Sequence, residues 1–89
     1  MNKKEKKQLL ESIRELVYRR INKKEISKYL AEKSNGKVYA VVEIKDLLAE
    51  EDFRMIFTLE IGNDVITGDI WYLKTRVKNN IYITKISID

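Results

Sequence analysis

Residues 36–48 read GKVYAVVEIKDLL, and the fold turns on whether this stretch is a strand or a helix. Val38, Val41, Val42 and Ile44 are β-branched and Tyr39 is aromatic. Such side chains lose rotamer freedom against a helical turn but sit well on a pleated surface, so residues 37–45 are predicted to be a strand.

The sequence that follows supports that choice. In FRMIFTLEI (53–61), Phe53, Met55, Phe57, Leu59 and Ile61 alternate with polar Arg54, Thr58 and Glu60. A period of two is the mark of a sheet with one buried face. GND (62–64) is a turn, VITGDIWYLKTRV (65–77) a third strand, KNN (78–80) a second turn and IYITKISI (81–88) the closing strand. Gly68 marks a bulge where the alternation slips, and a further register slip is expected near Lys85. Trp71, the only tryptophan, is expected in the core under a helix. The opposite sheet face is expected to carry Tyr39, Arg54, Ile56, Thr58, Tyr72, Lys74 and Arg76. Leu47 and Leu48 stand out as apolar residues in an acidic connection. They either fold back on the core edge or offer a contact.

Upstream, Leu9, Leu10, Ile13, Leu16, Val17 and Ile21 recur at helical spacing, which predicts an amphipathic helix over 3–21. A second set, Ile26, Tyr29 and Leu30, points to a different side of the same cylinder, so one straight helix cannot bury both. Asn22, a good N-cap with Glu25 three residues on, starts a second helix over 23–34. A long helix lying between two surfaces is the competing reading. Gly36 suits a left-handed cap at its end, and Asn35 tolerates that conformation too.

These elements compose a single α+β domain over 1–89, with one or two N-terminal helices on a four-stranded antiparallel meander. The order of a helical head and consecutive hairpins resembles the cystatin-like and nuclear transport factor 2-like small α+β domains. GDIWYLKTRVKNNIYITKISID (68–89) resembles the last hairpin of the second group. The resemblance spans residues 38–89. The chain is short for that group and lacks its usual third helix, so the resemblance implies a fold and carries no functional residue. In a second resemblance, NKKEISKYLAEKSNGKVYAVVEIKDLL (22–48) is similar to a winged helix-turn-helix. Residues 36–48 would then be the recognition helix, with Ile26, Leu30, Val38 and Val41 packing between the helices.

Composition removes much chemistry. The chain has no cysteine and no histidine. Disulfides, thiolate metal sites, cysteine nucleophiles and the commonest general base are therefore absent. With three glycines there is no phosphate-cradling glycine loop. The carboxylates Asp46, Glu50, Glu51 and Asp52 read as a solvated loop, and Asp69 is the one acid that could face inward. The expectation is a protein without enzymatic activity, catalytic residues, cofactor or metal. No apolar run is long enough for a membrane, and the charged N-terminus does not read as a signal peptide, so the expected place is the cytoplasm. Abundant Lys, Ile and Asn suit an AT-rich genome, such as that of a virus or another mobile element.

Charge is unevenly distributed. Residues 1–37 hold twelve Lys or Arg against five Glu, residues 38–69 two against eight acids, and residues 70–89 four against one. Such asymmetry marks an interaction surface or lets one copy's basic head meet another's acidic strip in a homodimer. The expected function is contact with another protein, as a binding or inhibitory factor, through Tyr39, Arg54, Tyr72, Lys74 and Arg76. The alternative is a DNA- or RNA-binding regulator of winged helix-turn-helix type. Arg19, Arg20, Lys23 and Lys24 would then bind phosphate.

Overall fold

The computed structural model describes residues 2–45 and 53–88. Asp46, Leu47, Leu48, Glu50, Glu51 and Asp52 lie outside the described residues. The elements are α1 (Lys3–Arg14), β1 (Arg20–Asn22), a 3-10 turn (Lys23–Glu25), α2 (Ile26–Ser34), β2 (Lys37–Lys45), β3 (Phe53–Ile61), β4 (Asp64–Lys74) and β5 (Asn80–Ile88). All pairings are antiparallel, in the order β1-β5-β4-β3-β2. The α+β layout matches the sequence expectation, but among the described residues the sheet has five strands rather than four. Residues 37–45 are strand, so the recognition helix of the winged reading does not form.

The fifth strand comes out of the predicted first helix. Asn2 caps α1 by accepting the Glu5 N–H at 2.8 Å. The helix ends at Arg14, not at residue 21. The Leu16 and Val17 amides then bond three residues back, to Ile13 and Arg14, and Tyr18 adopts a left-handed φ of 66°. No glycine or proline forces this ending. The Tyr18 N–H donates to the Ile83 carbonyl at 2.7 Å, and the Ile83 N–H to the Arg19 carbonyl at 3.1 Å. The free edge of β5 offers backbone partners, and this tertiary pairing outweighs the helical periodicity of Ile21.

Asn22 is a cap, its side chain accepting the Lys24 N–H at 2.9 Å, but it caps the 3-10 turn; α2 begins only at Ile26, and Glu25 makes no capping side-chain bond. At the far end of α2 the left-handed residue is Asn35, with φ 53°. Gly36 serves a different need: a Cβ there would lie 2.6 Å from the Ile61 side chain and 2.8 Å from the Glu60 carbonyl.

Both helices lie on one face of the sheet. Leu9, Ile13 and Leu16 from the first helical segment and Ile26 and Leu30 from α2 meet Met55, Phe57, Leu59, Ile66, Ile70, Tyr72, Ile81, Ile83 and Ile86 in one core. Leu9, Ile13 and Leu16 share a helix face because their spacings of four and three follow the helical repeat. The predicted slip near Lys85 is present: pairing passes from Trp71–Lys85 to Tyr72–Ile83, leaving Thr84 extra. Gly68 is not a bulge. It pairs regularly with Phe57.

Candidate partner-binding face

The face away from the helices is organised in rows that cross the strands. One row runs Ile44, Arg54, Trp71, Lys85; the next runs Val42, Ile56, Asp69, Ser87. A shorter row joins Leu73, Tyr82 and Arg20 across β4, β5 and β1. Val42 is 55% exposed and Leu73 37%, while Ile44, Ile56, Trp71 and Tyr82 are half-buried. Apolar side chains in contiguous rows, without a covering helix among the described residues, form a patch rather than scattered surface apolars.

Charged groups frame this patch. The Lys85 ammonium stands 4.8 Å from the centre of the Trp71 ring, within cation–π range. Arg54 Nη1 lies 3.9 Å from Asp69 Oδ1, a loose ion pair. At the edge, the β2 register shifts between Val38 and Ala40, and Tyr39 stands exposed at that shift. Its hydroxyl donates to the Glu60 carboxylate, and this bond raises the phenol pKa.

The expected site is therefore only partly assembled. Arg54 lies on the open face and Tyr39 at its edge. Tyr72 does not: it is 1% exposed in the helix-side core, stacked on Phe53 with ring centroids 5.6 Å apart. Lys74 shares the Tyr72 side, its ammonium 4.3 Å from the Phe53 ring. Arg76 is exposed in the β4–β5 turn rather than in a strand. Trp71, expected in the core, takes the outer position, and so does Asp69, which does not face inward. The cause is parity. Ile66, Gly68, Ile70 and Tyr72 all face the helices, and Gly68 carries no side chain to announce the alternation.

Behind the open face, at the end of the core, Lys23 Nζ and Glu43 Oε2 form an ion pair at 2.9 Å. Hydrogen bonding from Lys23 is the main cause holding the Glu43 carboxyl below its ordinary pKa. The Tyr72 hydroxyl lies near that carboxylate, but it is buried and closes no hydrogen bond of normal geometry. Burial, followed by the nearness of Glu43, raises its pKa.

The expected phosphate-binding residues divide as well. Arg20 is on the open side of β1, opposite Tyr82, and Arg19 precedes it, exposed. Lys23 and Lys24 lie beyond it in the 3-10 turn, where Lys23 is held by Glu43. Sequence reasoning missed Val42, Ile44, Leu73, Trp71 and Tyr82 as members of the open face. For Trp71 and Leu73 the signal was the alternation of β4 counted from Ile70 rather than from Trp71. Among the described residues no group of acidic side chains could hold a metal ion, and no helix is long and apolar enough to cross a membrane. No protein-family model matches the chain, and neither does any curated protein or solved structure.

Proposed function

We propose that this is a non-enzymatic protein that works by binding another protein through the open sheet face. The observation behind this reading is the row Ile44–Arg54–Trp71–Lys85, flanked by Val42, Ile56 and Leu73, on the side that no helix covers among the described residues. Trp and Arg are the residue types that dominate interface energetics when a partner desolvates them. The strands fix their spacing in advance, so little ordering entropy is lost on contact. A binding or inhibitory factor of a mobile element or virus fits this small basic chain, which lacks histidine and cysteine.

The test is site-specific photo-crosslinking in the source cell, with the crosslinker at Val42 or at Glu11 on the exposed side of α1. A discrete protein adduct from Val42 but not Glu11, abolished by Trp71→Ala, is expected. Adducts that survive Trp71→Ala unchanged would sink the reading.

One observation favours a second reading, nucleic-acid binding. Arg20, Lys23, Lys74, Arg76 and Lys78 gather around the β4–β5 turn, lining neighbouring hollows. Clustered cations bind phosphate with a steep salt dependence, a log–log slope near −0.9 for each phosphate neutralised on a duplex. A salt-sensitive complex lost on changing Arg20 and Arg76 to Gln, but kept in Trp71→Ala, would favour it over protein binding.

A further inference from the structure

The open face runs into a hollow of about 480 Å³ at the β4–β5 turn. Leu73 and Tyr82, cross-strand partners on that face, also form its wall, together with Val77. Arg20 lines it from β1 and Arg76 from the turn. Among the described residues no carboxylate lines the hollow. Neither Arg20 nor Arg76 makes an ion pair among the described residues. Two guanidinium groups, with no carboxylate beside them among the described residues, thus line one hollow with apolar side chains, although Arg20 and Arg76 are 56 positions apart in the chain.

The turn that presents Arg76 is held in place. The Thr75 hydroxyl donates to the Asn80 carbonyl at 2.6 Å and accepts the Val77 N–H at 3.3 Å. The Asn80 N–H closes onto the Val77 carbonyl at 3.0 Å, and Asn79 supplies the left-handed residue with φ 64°. Arg76 therefore starts from a fixed backbone, and only its side chain must be ordered on binding.

We infer that the partner bound by the open face presents a segment with an acidic end and an apolar body, its carboxylates seated at Arg20 and Arg76 and its apolar residues over Leu73 and Trp71. This rests on the protein-binding reading above and names the chemistry of the partner. Guanidinium forks match carboxylates in bidentate geometry. Trp71 and Leu73 are two residues apart on β4, about 7 Å at the strand rise, so an extended partner reaches both within about two to three residues of its acidic end. A polyanion fits less well. Asp69 and Glu60 lie on the same face and oppose a chain of phosphates laid across it, whereas an anion confined to one end of the ligand avoids both.

The experiment is a display selection of random linear peptides on the immobilised full chain, repeated on Arg20→Glu/Arg76→Glu and on Trp71→Ala. Each variant's unfolding midpoint is checked first; both arginines are exposed, so their exchange should leave it unchanged. The expected result is enrichment of peptides with two or more Asp or Glu beside apolar residues. Their binding should fall about tenfold or more on either variant. Enriched peptides without acidic residues, lost on Trp71→Ala alone, overturn this inference and leave the open-face reading standing. Peptides indifferent to Trp71→Ala overturn the open-face reading itself. Failure to enrich any peptide overturns the inference. So does a single-stranded oligonucleotide that outcompetes the peptides through Arg20 and Arg76.

Discussion

Gly68 sits directly opposite Phe57, and the Phe57 ring occupies the space a side chain at 68 would need. A Cβ there would lie 2.7 Å from Phe57 Cε1, closer still to its Cζ, and 2.8 Å from the Ser87 carbonyl oxygen. Phe57 is fully buried, so its ring cannot swing aside into solvent. Gly68→Ala is expected to destabilise the fold by about 1–3 kcal/mol, the usual cost of overpacking. Adding Phe57→Leu to Gly68→Ala should restore part of that loss. Urea midpoints of the two single changes and the double change give the coupling, and simple additivity would contradict the packing argument.

Trp71 and Tyr72 are chain neighbours on opposite faces, and their substitutions should separate binding from stability. Tyr72→Ala removes a core ring and should cost about 3–5 kcal/mol. Tyr72→Phe removes a buried hydroxyl that closes no hydrogen bond of normal geometry among the described residues, so it should be neutral or stabilising by up to about 1 kcal/mol. Trp71→Ala should cost less stability than Tyr72→Ala yet remove partner binding. Thermal melts of the three variants check the order; a strongly destabilised Tyr72→Phe would mean that the hydroxyl bonds to something.

Acid should weaken the fold partly through Glu43. Lys23 holds this carboxyl below its ordinary pKa, so the unfolded chain takes up the proton more readily. The contribution is complete above the unfolded value of about 4.3 and is lost as the pH falls through the lower folded value. Lys23 is 33% exposed and Glu43 36%, so solvent screening keeps it under about 1 kcal/mol. Denaturation midpoints from pH 6 to 3 should decline less steeply in Lys23→Met than in the parent. Parallel curves would remove the ion pair from the account.

Tyr18 is 73% exposed at φ 66°, a region where a Cβ is strained. Tyr18→Gly should relieve that strain, offset by the greater freedom of glycine in the unfolded chain. A net stabilisation of up to about 1 kcal/mol is expected. A loss of about 1 kcal/mol or more in chemical denaturation would show that the Tyr18 ring makes contacts that outweigh its backbone strain.

Where one rule acted alone, the sequence was readable. β3 is flanked by strands on both sides, and Phe53, Met55, Phe57, Leu59 and Ile61 gave its inner face directly. β4 was ambiguous because Trp71 and Tyr72 are both large aromatics, and propensity cannot choose between them; the partner strands choose. β1 was hidden because three residues carry no period and Ile21 happens to continue the helical spacing. The open face inherited the β4 error, which put Tyr72 where Trp71 stands. That Arg20 and Arg76 line one hollow depends on the β1–β5 register, which no local pattern encodes.

The β1–β5 pairing has a kinetic consequence. β2 to β5 form a chain of hairpins, each closed by a local connection, whereas Ile21 finds Ile81 across 60 positions. Three residues of ladder return little against the entropy of closing so long a loop. The meander should therefore zip up first, with the N-terminal strand docking last. In the native protein this same seam should be the earliest to open, so the amides of Tyr18 and Lys23, whose acceptors lie across it, should exchange with deuterium well before those of β3.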